Sequence, residues 1–183
     1  LAALPPPPPG AELAPGSDPA RQLANCVSAF EVALLDLQAR HAGLPLHALL
    51  GGAVRREVPF SAYLFFKYAR HVEPEEAPDA WGEAVTPDQI VAQAQRMIDL
   101  HGFGSIKLKA GTLPPETEIA SIEALAAAFP GLPLRIDPNG AWSMDTAIAS
   151  AERLGPLIEY YEDPVDGLEA MSELHRRTGL PLA

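Results

Sequence analysis

The sequence predicts an α/β fold built around a parallel sheet, and three observations support this. From Thr86 onward, segments with apolar residues at helical spacing alternate with short strand-like segments. Each strand–helix unit is about 25 to 30 residues long, which fits a crossover between parallel strands rather than a hairpin. The glycine-rich phosphate loops of nucleotide-binding sheets, such as GxGxxG, do not occur in the sequence. Between an open doubly wound sheet and a barrel, the sequence therefore favours a (β/α) barrel of the TIM type.

Capping residues and breakers mark where the predicted helices begin and end. Thr86 and Pro87 suit the N-cap and first-turn positions of a helix that Gly102 ends, and Ser143 suits the N-cap of another. The predicted helices cover 27–43, 86–102, 115–129, 143–154 and 168–178, with one helical turn at 47–50. The predicted strands are VRREVPFSAYLFF, GSIKLK, GLPLRID and LIEYYED, and the terminal LPLA opens one more.

The N-terminal part of the chain differs in composition. Residues 1–26 are dense in proline, glycine and alanine, which predicts a tail or linker; a ligand for a proline-recognising domain is the alternative. The single cysteine, Cys26, stands in an apolar run, and we expect a buried, reduced thiol. The helix that follows is expected to bury one broad apolar face, formed by Phe30, Ala33, Leu34 and Leu37.

The overall charge limits the partners of the chain. A formal net charge of -11 repels nucleic acids and anionic membranes, so neither is expected as a partner, and an anionic ligand would need a local cluster of cations. No stretch approaches the roughly 18 apolar residues of a membrane span, and the first residues lack the pattern of a signal peptide. These features predict a cytoplasmic protein. The chain starts without methionine and stops inside a strand-like segment, so both ends are expected to be cut.

Charged residues stand at the ends of three successive predicted strands. Lys107 and Lys109 end the first, Asp137 ends the second, and Glu162 lies at the end of the third. Catalytic groups gather at the C-terminal ends of parallel strands, so these residues are expected to share one rim of the fold. The alternatives are a solvated strand face for the lysines and ordinary turn positions for the carboxylates.

The lysine pair predicts a base, and the carboxylates predict a metal site. Lys107 and Lys109 are two of only three lysines in the chain, and side chains two apart on a strand share a face. Mutual repulsion and burial are expected to lower the pKa of at least one of them toward neutrality, which would let it accept a proton. Asp137 and Glu162 offer the oxygen ligands that magnesium prefers, completed by water, substrate or another strand.

The motifs IKLKAG, RIDPNGAWSM and YYEDP, in this order and spacing, resemble the mandelate racemase-like branch of the enolase superfamily. AYLFF and RRTGLPLA add a resemblance to glucarate dehydratase and its relatives, and the similarity runs from about Val27 to Ala183. Ala110 stands where the family pattern has the first of two glycines. The resemblance implies that 1–26 precedes the C-terminal part of an α+β capping domain at 27–55. It implies that 56–183 is the first half of a modified (β/α) barrel.

The resemblance also implies a role for each matching residue. Lys109 would be the base, and Lys107 would lie against the substrate carboxylate. The metal ligands for Mg²⁺, or for Mn²⁺ in its place, would be Asp137 and Glu162. The substrate-binding positions would be Asn139, Tyr63 and Phe65.

The function that the resemblance implies is a magnesium-dependent dehydratase of an aldaric acid such as D-glucarate. The alternatives are a racemase or cycloisomerase of the same superfamily, and an inactive truncated homologue. The family pattern has a third metal ligand and a histidine–aspartate pair on later strands. We therefore expect the 183 residues to be inactive by themselves, and the complete protein to bind an acid sugar and to be a homo-oligomer.

Overall fold

The computed structural model describes residues 19–70 and 77–183. Most of the predicted tail at 1–26 therefore lies outside the described residues. The chain divides into two units after Val58. None of the described helices combines the length and the apolar character that crossing a membrane requires.

The described part of the first unit contains two helices, α1 (Pro19–His41) and α2 (Leu46–Leu49). Helix α1 begins ahead of the predicted start at residue 27, so residues 19–26 are helical rather than part of a tail. Proline is tolerated in the first turn of a helix, and the residues ARQLA that follow it favour helix formation.

The apolar face of α1 is exposed, so the predicted broad buried face is wrong for this chain. Phe30, Leu34 and Leu37 are each more than half exposed. Among the described side chains of α1, only Ala39 is buried. The reason is that α1 packs against the four-residue α2, which covers little of its 23 residues. The prediction of a buried Cys26 is wrong as well, because this residue is exposed on the same helix.

The second unit is a four-stranded parallel sheet whose strands alternate with helices. The sheet order is β1-β2-β3-β4, and all three strand pairs are parallel. This confirms the predicted α/β fold as part of a TIM-type barrel. The strands are β1 (Ala62–Phe65), β2 (Ile106–Lys109), β3 (Leu134–Asp137) and β4 (Tyr160–Tyr161). The helices are α3 (Pro87–His101), α4 (Pro115–Ala128), α5 (Met144–Leu154) and α6 (Leu168–Thr178).

The predicted helix ends are confirmed by their caps. At the start of α3, Thr86 and Gln89 form a capping box in which each side chain accepts a hydrogen bond from the backbone of the other. Gly102 ends this helix in the left-handed conformation, with φ of 67°. Ser143 caps α5 by accepting from the backbone N–H of Thr146.

All four strands are shorter than the sequence predicted, β1 and β4 most of all. Strand β1 begins only at Ala62 because its partner β2 is four residues long and pairs from Ala62 with Ile106 onward. The preceding residues 54–61 therefore lie outside the strand. Strand β4 has two residues, and Leu182 forms a single parallel bridge with Tyr161 where the next strand was predicted to open.

The sheet has an apolar face and a polar face because side chains alternate along each strand. The apolar face packs against the helices and forms the core. Its buried strand residues are Ala62, Leu64, Ile106, Leu108, Leu134 and Ile136, which pack with Ile90, Ala94, Ile119, Ile122 and Leu125. The opposite face therefore carries the intervening residues, which include both lysines of β2.

Candidate active site

The C-terminal ends of the strands lie level with one another. In the strand register, Phe65 lies beside Lys109, and Lys109 lies beside Asp137. Glu162 directly follows β4, and its backbone N–H donates to the carbonyl oxygen of Ile136 on β3 over 3.0 Å. The ends of all four strands therefore deliver side chains to one rim, as the spacing of the charged residues predicted.

Lys109 donates to two oxygens supplied by the end of β3 and the loop after it. Its Nζ lies 2.8 Å from Oδ2 of Asp137 and 2.7 Å from Oδ1 of Asn139. Asn139 has a φ of 56°, and its backbone N–H donates to Oδ1 of Asp137 over 3.0 Å. This left-handed turn folds the asparagine side chain back toward the strand end, which brings its amide oxygen to the lysine.

Lys107 pairs with two carboxylates. Its Nζ lies 2.5 Å from Oε1 of Glu162 and 3.0 Å from Oδ2 of Asp137. Burial lowers the pKa of Lys107, but the hydrogen bonds and negative charges of Glu162 and Asp137 outweigh burial and raise that pKa above its usual value. Repulsion and burial therefore do not lower the pKa of Lys107, because its ammonium group faces two carboxylates.

Asp137 is the anion shared by both lysines. Its side chain is 4% exposed, and its Oδ2 accepts from Lys109 and contacts Lys107. Burial raises the pKa of this carboxyl, but the hydrogen bonds and charges of the two ammonium groups outweigh it and leave the pKa below its usual value. The carboxylate form is thus stabilised in a largely buried position.

Two aromatic side chains of β1 flank the lysines of β2. Tyr63 and Phe65 are partly exposed, and their ring centroids lie 4.4 Å apart. Nζ of Lys107 lies 4.9 Å from the ring centroid of Tyr63, within the range of a cation–π interaction. These rings form an apolar wall beside the charged cluster.

The loop after β2 is pressed against the loop after β3. The backbone N–H of Ala110 donates to the carbonyl oxygen of Asp137 over 2.8 Å, and the Ala110 side chain is buried. Gly111 has a φ of +83°, and a Cβ at this position would lie 2.2 Å from the carbonyl oxygen of Pro138. The close approach therefore requires glycine at 111, whereas position 110 accommodates alanine.

Residues 89–183 match the protein family described as Enolase C-terminal domain-like. The chain belongs to the enolase superfamily. The matched region includes the lysine pair on β2 and the carboxylates at the end of β3 and directly after β4.

Relatives of this enolase-superfamily chain differ in the reactions their names give. It is 55% identical over 160 residues to a probable glucarate dehydratase of Streptomyces coelicolor, covering 87% of this chain and 37% of that protein. It is 32% identical over 160 residues to muconate cycloisomerase 1 of Rhodococcus opacus, covering 85% of this chain and 38% of that protein. The chain thus spans well under half the length of these relatives.

A crystal structure of an enolase from Pseudomonas fluorescens Pf0-1 shares this fold. Its TM-score is 0.84 and its sequence identity 65%, with 100% of this chain and 42% of that chain covered. That enolase was crystallised with bound magnesium, potassium and tartrate.

The enolase-superfamily chain offers two oxygen ligands that fit a divalent cation. Asp137 and Glu162 already converge on one positive charge, the ammonium group of Lys107. Carboxylate oxygens are the ligands that magnesium prefers. In the described part of the chain, no group of three or more histidine, cysteine, aspartate or glutamate side chains converges as a metal site. The two carboxylates would therefore fill part of an octahedral shell.

All five predicted polar site residues lie in one cluster, while their roles stay predictions. The sequence did not identify two buried residues that hydrogen-bond to each other beside the loops of the cluster, namely Glu118 and Trp142. Glu118 lies in the first turns of α4, where an acidic residue usually faces solvent and favours the helix dipole. Only its burial in the tertiary structure distinguishes it from its neighbours.

Proposed function

We propose that the natural protein encoded by the longest reading frame containing this chain dehydrates an aldaric acid such as D-glucarate. The single observation that supports this best is the position of the Lys109 ammonium group, between Asp137 and Asn139 at the strand ends. The similarity to a probable glucarate dehydratase supports the substrate class.

In the proposed reaction, Lys109 removes the proton from the carbon beside the substrate carboxylate. A neutral amine has two N–H groups and one lone pair, so Lys109 can keep its hydrogen bonds to Asp137 and Asn139 while the lone pair accepts the proton. The hydroxyl on the neighbouring carbon then takes up a proton and leaves as water. The resulting enol tautomerises to a keto-deoxy diacid.

The remaining residues of the cluster would hold the diacid. Lys107 is cationic and lies on the same strand face, so it suits a position against the substrate carboxylate. When bound, a magnesium ion held by Asp137 and Glu162 would supply further positive charge beside that carboxylate. Tyr63 and Phe65 would cover one side of the carbon chain and limit the access of water.

A second candidate function is racemisation or cycloisomerisation, which the similarity to muconate cycloisomerase 1 favours. The same proton abstraction would then be followed by return of a proton or by ring closure, without loss of water. Deuterium entering recovered substrate, with no keto acid formed, would identify an enzyme of the racemase type.

The proposed dehydration is tested with the natural protein and D-glucarate. We expect keto-acid formation in the presence of magnesium and its loss after chelation with EDTA. The same assay in ²H₂O should place deuterium in the product. A folded, magnesium-loaded protein that forms no keto acid from D-glucarate or its stereoisomers would contradict the proposal.

A further inference from the structure

Glu118 is a fully buried carboxylate on α4, and its hydrogen bonds reach the two loops that follow β2 and β3. It is 0% exposed, and its Oε1 accepts from the backbone N–H groups of Thr112 and Leu113, each over 2.9 Å. Its Oε2 accepts from the indole N–H of Trp142 over 2.9 Å. One side chain thus joins the loop after β2 to the loop after β3.

The three donors explain why a carboxylate occupies this position. All three partners are N–H groups, so both terminal atoms of the side chain, Oε1 and Oε2, must accept hydrogen bonds. A glutamine has the same shape, but one end of its amide donates, which would place two donors face to face. Burying a carboxylate is costly unless its oxygens are hydrogen-bonded, and Glu118 meets that condition.

The joined loops are those that position the candidate base. Thr112 and Leu113 lie three and four residues after Lys109. Gly111, which directly precedes Thr112, packs on Pro138. Trp142 lies three residues after Asn139, the second hydrogen-bond acceptor of Lys109.

The network continues from Trp142 to the end of β4. The indole packs edge-on against Tyr161, with ring centroids 5.9 Å apart, and Tyr161 directly precedes Glu162. The Tyr161 hydroxyl hydrogen-bonds Oγ of Ser150 over 2.7 Å inside the core. One connected set of buried side chains therefore links the chain segments that carry the charged cluster on β2, β3 and β4.

We propose that Glu118 is a positioning residue, which clamps the loops after β2 and β3 together and so keeps Lys109 between Asp137 and Asn139. This inference rests on the proposed role of Lys109 as the base. A catalytic base must be held within about 0.5 Å of its productive position, and a clamp on both loops meets that demand.

The test uses four variants of the natural protein. Glu118→Gln creates one donor–donor contact, and Trp142→Phe removes the indole donor. In the double variant, the glutamine oxygen can accept from both loop amides while its NH₂ group faces the phenyl ring. Glu123→Gln is the matched control, because Glu123 lies on the same helix but is partly exposed and pairs with Arg153.

For Glu118→Gln, we expect kcat per folded molecule to fall by up to about 100-fold, the cost of a small misplacement of a reacting group, with KM changed much less. Amide hydrogen exchange at Thr112 and Leu113, measured by mass spectrometry without substrate, should become faster. The double variant should recover both kcat and exchange protection to about the level of Trp142→Phe. Glu123→Gln should match the wild type in both measurements.

Two results would overturn the inference. One is a Glu118→Gln enzyme that melts earlier but keeps wild-type kcat and exchange rates, since a purely structural role predicts that outcome. The other is a double variant that falls clearly below Trp142→Phe in kcat and exchange protection, because the defect of Glu118→Gln would then not arise from its contact with the indole. If Glu118→Gln does not fold, a folded and active double variant supports the clamp, and a double variant that also fails to fold overturns it. Because hydrogen exchange requires no turnover, a failed dehydratase assay would contradict the proposed function and leave the clamp testable.

Discussion

Nζ of Lys107 on β2 lies 2.5 Å from Oε1 of Glu162, which follows β4. The two residues are 55 positions apart in the sequence. They meet because β2 and β4 flank β3 in the sheet, and the side chain of Asp137 at the end of β3 lies between their strands. The cluster is therefore a product of strand order, which sets the two lysines of β2 against the carboxylates at the end of β3 and directly after β4.

Replacement of Lys109 tests the base assignment. In the natural protein, Lys109→Ala should reduce exchange of the substrate α-proton with ²H₂O by about 10²- to 10⁴-fold, the usual contribution of general base catalysis. NMR of the recovered substrate measures this exchange. Lys67→Ala is the matched control, because Nζ of Lys67 pairs with Asp79 over 2.6 Å rather than with Asp137 or Asn139, and this variant should retain exchange. Undiminished exchange in Lys109→Ala would remove this residue from the role of base.

Replacement of Asp137 tests the metal assignment. Asp137→Asn keeps the shape but removes the charge of one proposed ligand, so we expect magnesium affinity to fall at least about tenfold. Outer-shell partners alone contribute 10- to 100-fold. Titration calorimetry with magnesium measures the affinity. Asp145→Asn, at an exposed position of α5, is the control and should bind magnesium as the wild type does. Equal affinity in both variants would exclude Asp137 as a ligand.

The stability of the metal-free protein should depend on the charge of Asp137. The pKa of this carboxyl is lower in the folded state than its usual value of 3.8, against burial, because of its two lysine partners. Its carboxylate therefore stabilises the fold above about pH 4, and this stabilisation is lost as the pH falls through the folded-state pKa.

Urea denaturation in EDTA, from pH 6 to pH 2, measures this effect. The unfolding free energy of the wild type should exceed that of Asp137→Asn by a margin that is constant near neutral pH. Below about pH 4, the margin should shrink as the carboxylate is protonated. A margin that stays constant down to pH 2 would show that the carboxyl keeps no lowered pKa in the fold.

Two glycine substitutions separate backbone strain from steric clash. Gly111 and Gly131 have similar positive φ values of +83° and +86°. Gly131→Ala meets no atom within 4 Å, so it should cost only the strain of the left-handed conformation, about 1 to 2 kcal/mol. Gly111→Ala should cost clearly more, because its Cβ would lie 2.2 Å from the carbonyl oxygen of Pro138. Chemical denaturation of the natural protein measures both, and equal costs would contradict the close approach of the two loops.

The local elements followed closely from the sequence. Thr86, Gly102 and Ser143 marked the helix ends correctly because caps act within one turn of the chain. The alternation along GSIKLK placed both lysines on the polar face of β2 because the strand period is two residues. The α/β class followed from the repeat of these local patterns.

Pairings between distant residues required the tertiary structure. The sequence placed Lys107 and Lys109 side by side and predicted repulsion, but strand order and register bring Asp137 and Glu162 to Lys107, and these carboxylates raise its pKa. Helix α1 shows the same limit. Its apolar spacing predicted burial, but spacing within one helix does not determine whether another segment covers that face.

The sequence by itself therefore determined which segments form helices and strands and which residue types stand at the strand ends, because those properties depend on neighbours in the chain. Only the tertiary structure decided which charges pair and that Glu118 is buried against two loops. Such contacts depend on strand order, register and packing between segments far apart in sequence, because these decide which donors and acceptors come within hydrogen-bond distance.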